Sequence, residues 1–104
     1  MLEISTGKVV RVIALTREYG PDSVKLADYI SGLNDDENLN LVALMWIGRG
    51  SFEPEELEDA KEEARLEASA PTERYLSGIP SLAEHLEDAL DKLGIDVTDE
   101  EDDL

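Results

Sequence analysis

Asn34-Asp35-Asp36-Glu37-Asn38-Leu39-Asn40-Leu41-Val42-Ala43-Leu44-Met45-Trp46-Ile47-Gly48-Arg49-Gly50 is the stretch that decides the fold. Asn34 can cap a helix, because its side-chain oxygen can accept from a free N–H of the first turn. Asp35, Asp36 and Glu37 fill that turn, where carboxylates meet the positive end of the helix dipole. Leu39 and the run Leu41–Ile47 are apolar on nearly every side of such a helix. A helix of that kind has no face to give to water, so other helices must enclose it. Gly48-Arg49-Gly50 reads as its end, since glycine relieves a left-handed turn.

The flanking segments offer the partners. Ser5 and Thr6 can cap a first helix through about Tyr19, which Gly20-Pro21 stops. Its Val9, Val10, Val12 and Ile13 could pass for a strand, but no tight turn nearby supplies a pairing strand. Asp22 or Ser23 opens a second helix, about 23–33, with Leu26, Tyr29, Ile30 and Leu33 on one face. Pro54 starts a fourth, about 54–69, with a thin seam of Leu57, Ala60, Ala64 and Ala68. Glu58–Lys61 and Glu62–Arg65 stand at a spacing that allows ion pairs. Pro71-Thr72 begins a short helix to about Leu76. Pro80-Ser81 begins the last, to about Leu93, with Leu82, Leu86, Ala89 and Leu93 aligned beside Ala83 and Leu90. The expected fold is therefore all-α: a compact bundle of five or six helices around a buried third helix. Residues 1–95 read as one helical domain and 96–104 as an acidic, disordered tail.

Charge restricts function more than any motif does. The 104 residues carry nine Lys and Arg against 26 Asp and Glu, a net charge of −17. Residues 51–104 hold 19 of those acids and four of the bases. Such a field repels nucleic acid and anionic lipid, whose binding begins with phosphate neutralisation. It suits a soluble protein or one with a basic partner. There is no cysteine, so disulfides and thiolate chemistry are excluded. No apolar run reaches the roughly 20 residues of a membrane span, and the N-terminus lacks the pattern of a signal peptide. The expected location is the cytoplasm.

Three segments together resemble the bacterial domain of unknown function 3775 family. They are Leu41 to Gly50 with its Trp-Ile-Gly-Arg-Gly ending, Phe52-Glu53-Pro54-Glu55-Glu56-Leu57, and Thr72-Glu73-Arg74-Tyr75-Leu76-Ser77-Gly78-Ile79-Pro80 followed by Leu82 and Leu86. The resemblance spans about residues 4–94. Family members often carry a longer segment between the first two helices, where this chain has Gly20-Pro21. The resemblance implies a helical fold and a bacterial cytoplasmic setting, and it brings no catalytic residues.

The residues themselves offer little chemistry. His85 is the single histidine, and no Glu-x-x-His or His-x-x-x-His pair exists, so it reads as a solvated helix position. Glu55, Glu58, Glu62 and Glu63 are crowded but read as a solvated face. Asp96 to Asp102 alternates oxygens like a calcium loop without its glycine or its final glutamate. Gly48-Arg49-Gly50 follows a helix and lacks the lysine of a phosphate loop. No catalytic, metal or cofactor-binding residue is assigned and no cofactor is expected. Trp46 and Arg49 are the candidate partner-binding residues. Trp46 reads as core or as an interface anchor. Arg49 reads either as a tie from the central helix to a carboxylate of the last three helices or as an exposed contact beside Trp46. The function expected is a non-catalytic interaction or regulatory accessory module with an unknown protein partner, and the acidic surface favours a basic one. The alternatives are an acidic nucleic-acid mimic that binds a basic DNA-binding protein, and a carboxylate-based enzyme.

Overall fold

A computed structural model describes residues 2–67 and 71–95. Ala68 of the expected α4 seam and the acidic tail 96–104 lie outside the described residues. Six helices follow one another: α1 Thr6–Tyr19, α2 Val24–Ser31, α3 Asp35–Arg49, α4 Leu57–Leu66 after a 3-10 turn at Pro54–Glu56, α5 Thr72–Ser77 and α6 Leu82–Lys92. The described residues contain no strand, as the capping signals imply.

Each of the first three helices begins on the cap expected of it. Ser5 Oγ accepts from the Lys8 N–H at 3.2 Å, and Ser23 Oγ accepts from Leu26 at 3.2 Å. Asn34 and Glu37 form a reciprocal capping box, at 2.8 Å and 3.0 Å. Glu37 also pairs with Lys8, which joins the start of α3 to α1. The hydrogen bond from Lys8 and the Asn34 backbone hold the Glu37 carboxyl below the usual carboxylate range.

α3 is the centre of the bundle. Every residue from Asn40 to Gly48 is buried. It packs most extensively against α6 and next against α4, while α1 closes over α6 and α2 meets α5. Val9, Val12, Ile13 and Leu15 of α1 join the same core as Leu82, Leu86, Ala89 and Leu90 of α6. The β-branched run of α1 is thus helical, since burial outweighs the small propensity cost of Val and Ile.

α3 ends within Gly48-Arg49-Gly50, as expected, with Arg49 its last residue. Gly48 is inside the helix, and only Gly50 adopts a left-handed conformation, with φ +94°. The Gly50 N–H donates to the Ile47 carbonyl at 3.1 Å and the Ser51 N–H to the Trp46 carbonyl at 2.9 Å, a Schellman closure. Gly48 is needed for packing instead. A Cβ there would lie 1.6 Å from the His85 backbone oxygen, so α3 and α6 cross with their backbones touching. His85 is accordingly half-buried, not on the outer solvated face expected of it.

Two polar interactions stitch the edges. Arg17 grips Glu87 with both terminal nitrogens, one of them at 2.7 Å, tying α1 to α6. Lys61 of α4 makes the pair with Glu58 that its spacing allows, at 3.1 Å, and is only 7% exposed because it also pairs with Glu3 at 2.9 Å. Burial pushes the Lys61 ammonium down. The two carboxylates outweigh burial and hold it above its ordinary value.

Candidate functional site

The C-terminal end of α3 separates the two residues that the sequence singles out. Trp46 is buried, at 7% exposure. Its indole N–H donates to the Tyr75 hydroxyl at 3.0 Å, and its ring stacks on Phe52 with centroids 5.8 Å apart. Arg49 is exposed. Its Nε donates to the Ser51 hydroxyl at 3.1 Å, and it forms no ion pair among the described residues. The expected tie from Arg49 to a carboxylate of the last helices is therefore corrected. Its place is taken twice over. Arg17 makes the two-pronged carboxylate clamp, and Lys92 Nζ donates to the Ile47 carbonyl at 3.1 Å, meeting the negative end of α3. Lys92 can do so because α6 runs directly past that end, whereas the Schellman turn carries the Arg49 side chain outward.

Tyr75 completes this rim, and sequence reasoning did not single it out. Its oxygen accepts from Trp46, so its own O–H proton remains available to an outside acceptor. It is 38% exposed, as Tyr19, Val24 and Leu66 are exposed elsewhere on the described surface. Its only sequence signal is its place in the segment that resembles the family. The rim can hold a partner by contact and hydrogen bonding.

A second feature lies at the opposite end of α3. A cleft of about 580 Å³ opens between Ser31 and Leu33, the first turns of α3, Arg65 of α4, and Pro71, Thr72 and Glu73 at the start of α5. That volume is in the range of small-ligand pockets. Asp35, Asp36 and Glu73 line it against one base, Arg65, whose Nη1 is held by Glu62 at 2.6 Å. Asn38 also lines it, and its side-chain oxygen is buried with no hydrogen-bond partner among the described residues. Such an orphaned acceptor costs about 1–3 kcal/mol. Nothing in the spacing of the chain signals it. Asn38 and Trp46 are eight positions apart, about 12 Å along α3. The cleft touches the start of α5, and the Trp46–Tyr75 contact touches its last turn.

Elsewhere the crowded carboxylates of α4 are exposed, as expected. The hydrogen bond that protonated Glu63 donates to Glu67, and the repulsion between the two groups when both are charged, hold Glu63 above the ordinary carboxylate value. Among the described residues no group of three or more His, Cys, Asp or Glu is arranged to hold a metal ion. No described helix is long and apolar enough to cross a membrane.

A family model described as a protein of unknown function, DUF3775, matches residues 23–95. The match begins just before α2, so α1 lies ahead of it. It contains both the rim and the cleft. Neither the curated proteins nor the solved structures include a match to the chain. The chain belongs to the DUF3775 family.

Proposed function

We propose that this DUF3775 member is a non-catalytic interaction module and that it docks a protein partner through the rim at the end of α3. The observation that carries this reading is the state of Arg49: exposed, bonded through Nε to one hydroxyl, and paired with no carboxylate among the described residues. The rest of its guanidinium fork remains available to a partner. Trp46 and Phe52 stiffen the ground beneath it, and Tyr75 adds an amphipathic ring. Arg and Tyr are frequent anchors of protein interfaces, and a pre-ordered anchor loses little entropy on binding. A cytoplasmic setting is part of the reading, supported by the cysteine-free sequence.

The test replaces Arg49 or Tyr75 with a photo-crosslinking amino acid in the full chain, with Val24 as an exposed control on α2. Adducts of one discrete mass from positions 49 and 75, absent from 24, are expected. Arg49→Ala should reduce, without abolishing, the adduct formed from position 75 while leaving melting unchanged. Adducts that form equally at all three positions would remove the rim from consideration.

One observation favours a second reading. Glu56, Asp59, Glu63 and Glu67 are all exposed and recur at helical spacing along α4, and Glu63 is crowded enough to hold its proton more tightly. Such a stripe supports the nucleic-acid mimic, which would occupy a basic groove. Asp59→Lys together with Glu63→Lys would then abolish capture of the partner, and salt would elute it from the wild type. The carboxylate enzyme has less support, because the crowded pair Glu63–Glu67 lies on an exposed helix face instead of in a cavity.

A further inference from the structure

We propose that the cleft between the start of α3 and the start of α5 receives the cationic side chain of a basic peptide, an arginine or a lysine. The inference rests on the reading of the protein as an interaction module and names the chemistry its partner would carry. Two properties of the cleft select that chemistry. The first is charge. Asp35, Asp36 and Glu73 line the cleft, while its one base, Arg65, is engaged by Glu62. An anion entering here meets net repulsion and a cation meets attraction. The second is the orphaned acceptor. Asn38 lines the cleft, and its Oδ1, buried behind the wall, has no donor among the described residues. Its last side-chain torsion is soft and roughly two-fold, so rotation can turn the oxygen into the cleft. A guanidinium or ammonium group brings several N–H donors and no acceptor.

The apolar part of the lining narrows the choice from any cation to a long one. Leu33, Leu39 and Pro71 share the cleft with those acceptors. Arginine and lysine carry an aliphatic stem that packs on such surface while the charged head reaches polar groups. A free diamine has the same chemistry, so the experiment separates the two sources. The field of the whole chain, −17, would concentrate either one near the surface.

The measurement is a backbone amide NMR titration of the full chain at constant ionic strength. The probes are acetyl-arginine methylamide, putrescine and, as a control of opposite charge, sodium phosphate. Acetyl-arginine methylamide should give saturable shifts centred on Leu33, Asn38, Thr72 and Glu73. Its affinity should fall about tenfold in Asn38→Leu, the effect of losing one hydrogen bond to a charged group. Glu73→Gln keeps the side-chain shape and should weaken binding in the same direction, so the result stands even if Asn38→Leu perturbs α3. Putrescine binding more tightly at the same amides would overturn the peptide source in favour of a free amine. Phosphate saturating the cleft would overturn the choice of charge. Shifts that spread over the acidic surface without saturating, and are unchanged in both variants, would overturn the site. None of these outcomes bears on adducts at positions 49 and 75, so failure of the cleft and failure of the rim are distinguishable.

Discussion

Replacing Gly48 with alanine should damage this protein more than the size of one methyl group implies. In an exposed helix interior the change would stabilise, because alanine exceeds glycine in helix propensity by about 1 kcal/mol. Here the added Cβ would lie 1.6 Å from the His85 carbonyl oxygen, 2.5 Å from its carbon and 3.0 Å from its Cα. These are backbone atoms, so no side-chain rotation relieves the clash. Ordinary contact needs well over 3 Å, so α3 and α6 must separate by more than 1 Å. A radial gap of 0.5–1 Å already forfeits about a quarter to a half of each dispersion contact. The interface that opens is the largest in the molecule and contains Leu44, Ile47, Leu82 and Leu86, all at or below 1% exposure. Overpacking a core costs about 1–3 kcal/mol when side chains can yield. Because the obstacle here is backbone, we expect about 3 kcal/mol or more after the propensity gain. At roughly 4–8 °C per kcal/mol for a domain near this size, Tm should fall by about 12–24 °C. Far-UV circular dichroism measures the loss, and Trp46 fluorescence reports the α3–α5 contact independently. Gly50→Ala is the internal comparison. It meets no atom within 4 Å and suffers only from its φ of +94°, a cost of about 1–2 kcal/mol. A Gly48→Ala variant as stable as the wild type, or less affected than Gly50→Ala, would refute the backbone contact.

Three further outcomes follow from the same geometry. Lys92→Met should cost about 1 kcal/mol in urea denaturation by taking the cation from the negative end of α3, where the Ile47 carbonyl keeps only its Gly50 N–H donor, while Arg49→Ala should stay within about 0.5 kcal/mol; the reverse order would return Arg49 to a structural role. Tyr75→Phe leaves the Trp46 indole N–H without its acceptor and should cost about 1 kcal/mol, with a shift in Trp46 emission; an unchanged emission spectrum would show that the bond does not form in solution. The pH response should have two opposed acid limbs. Glu63 is raised by Glu67, so its protonation favours the fold and melting should rise slightly as pH falls through a point above the usual carboxylate value. Glu3 is lowered by Lys61 and Glu37 by Lys8, so the stability they add above the unfolded carboxylate pKa is lost as pH falls further, through their depressed values. Glu63→Gln should erase the first limb and Glu37→Gln should shrink the second. A single monotonic decline in every variant would contradict the assignment.

The local sequence alone determined that the chain is helical, where most helices begin, and which one is central. Caps and periodicity are properties of neighbouring residues. Asn34 with Glu37 and the unbroken run Leu41–Ile47 therefore carry their meaning before any tertiary contact forms. Three things were decided only when the helices packed. Gly48 read only as part of the segment that ends α3, yet it is the contact through which α3 and α6 touch, because a missing Cβ serves a turn and a close approach equally well and only the partner's position chooses between them. Lys61 read only as a helical partner of Glu58, yet it is buried, because Glu3 arrives from the start of the chain to neutralise it as well. The clamp expected of Arg49 belongs to Arg17, and the cap on the last carbonyls belongs to Lys92, because a charged side chain pairs with whatever the fold sets within reach. The cleft and its orphaned Asn38 oxygen were invisible for the same reason. An unmet hydrogen bond is a fact about surroundings, and the cleft that Asn38 lines is assembled from three separate stretches of chain.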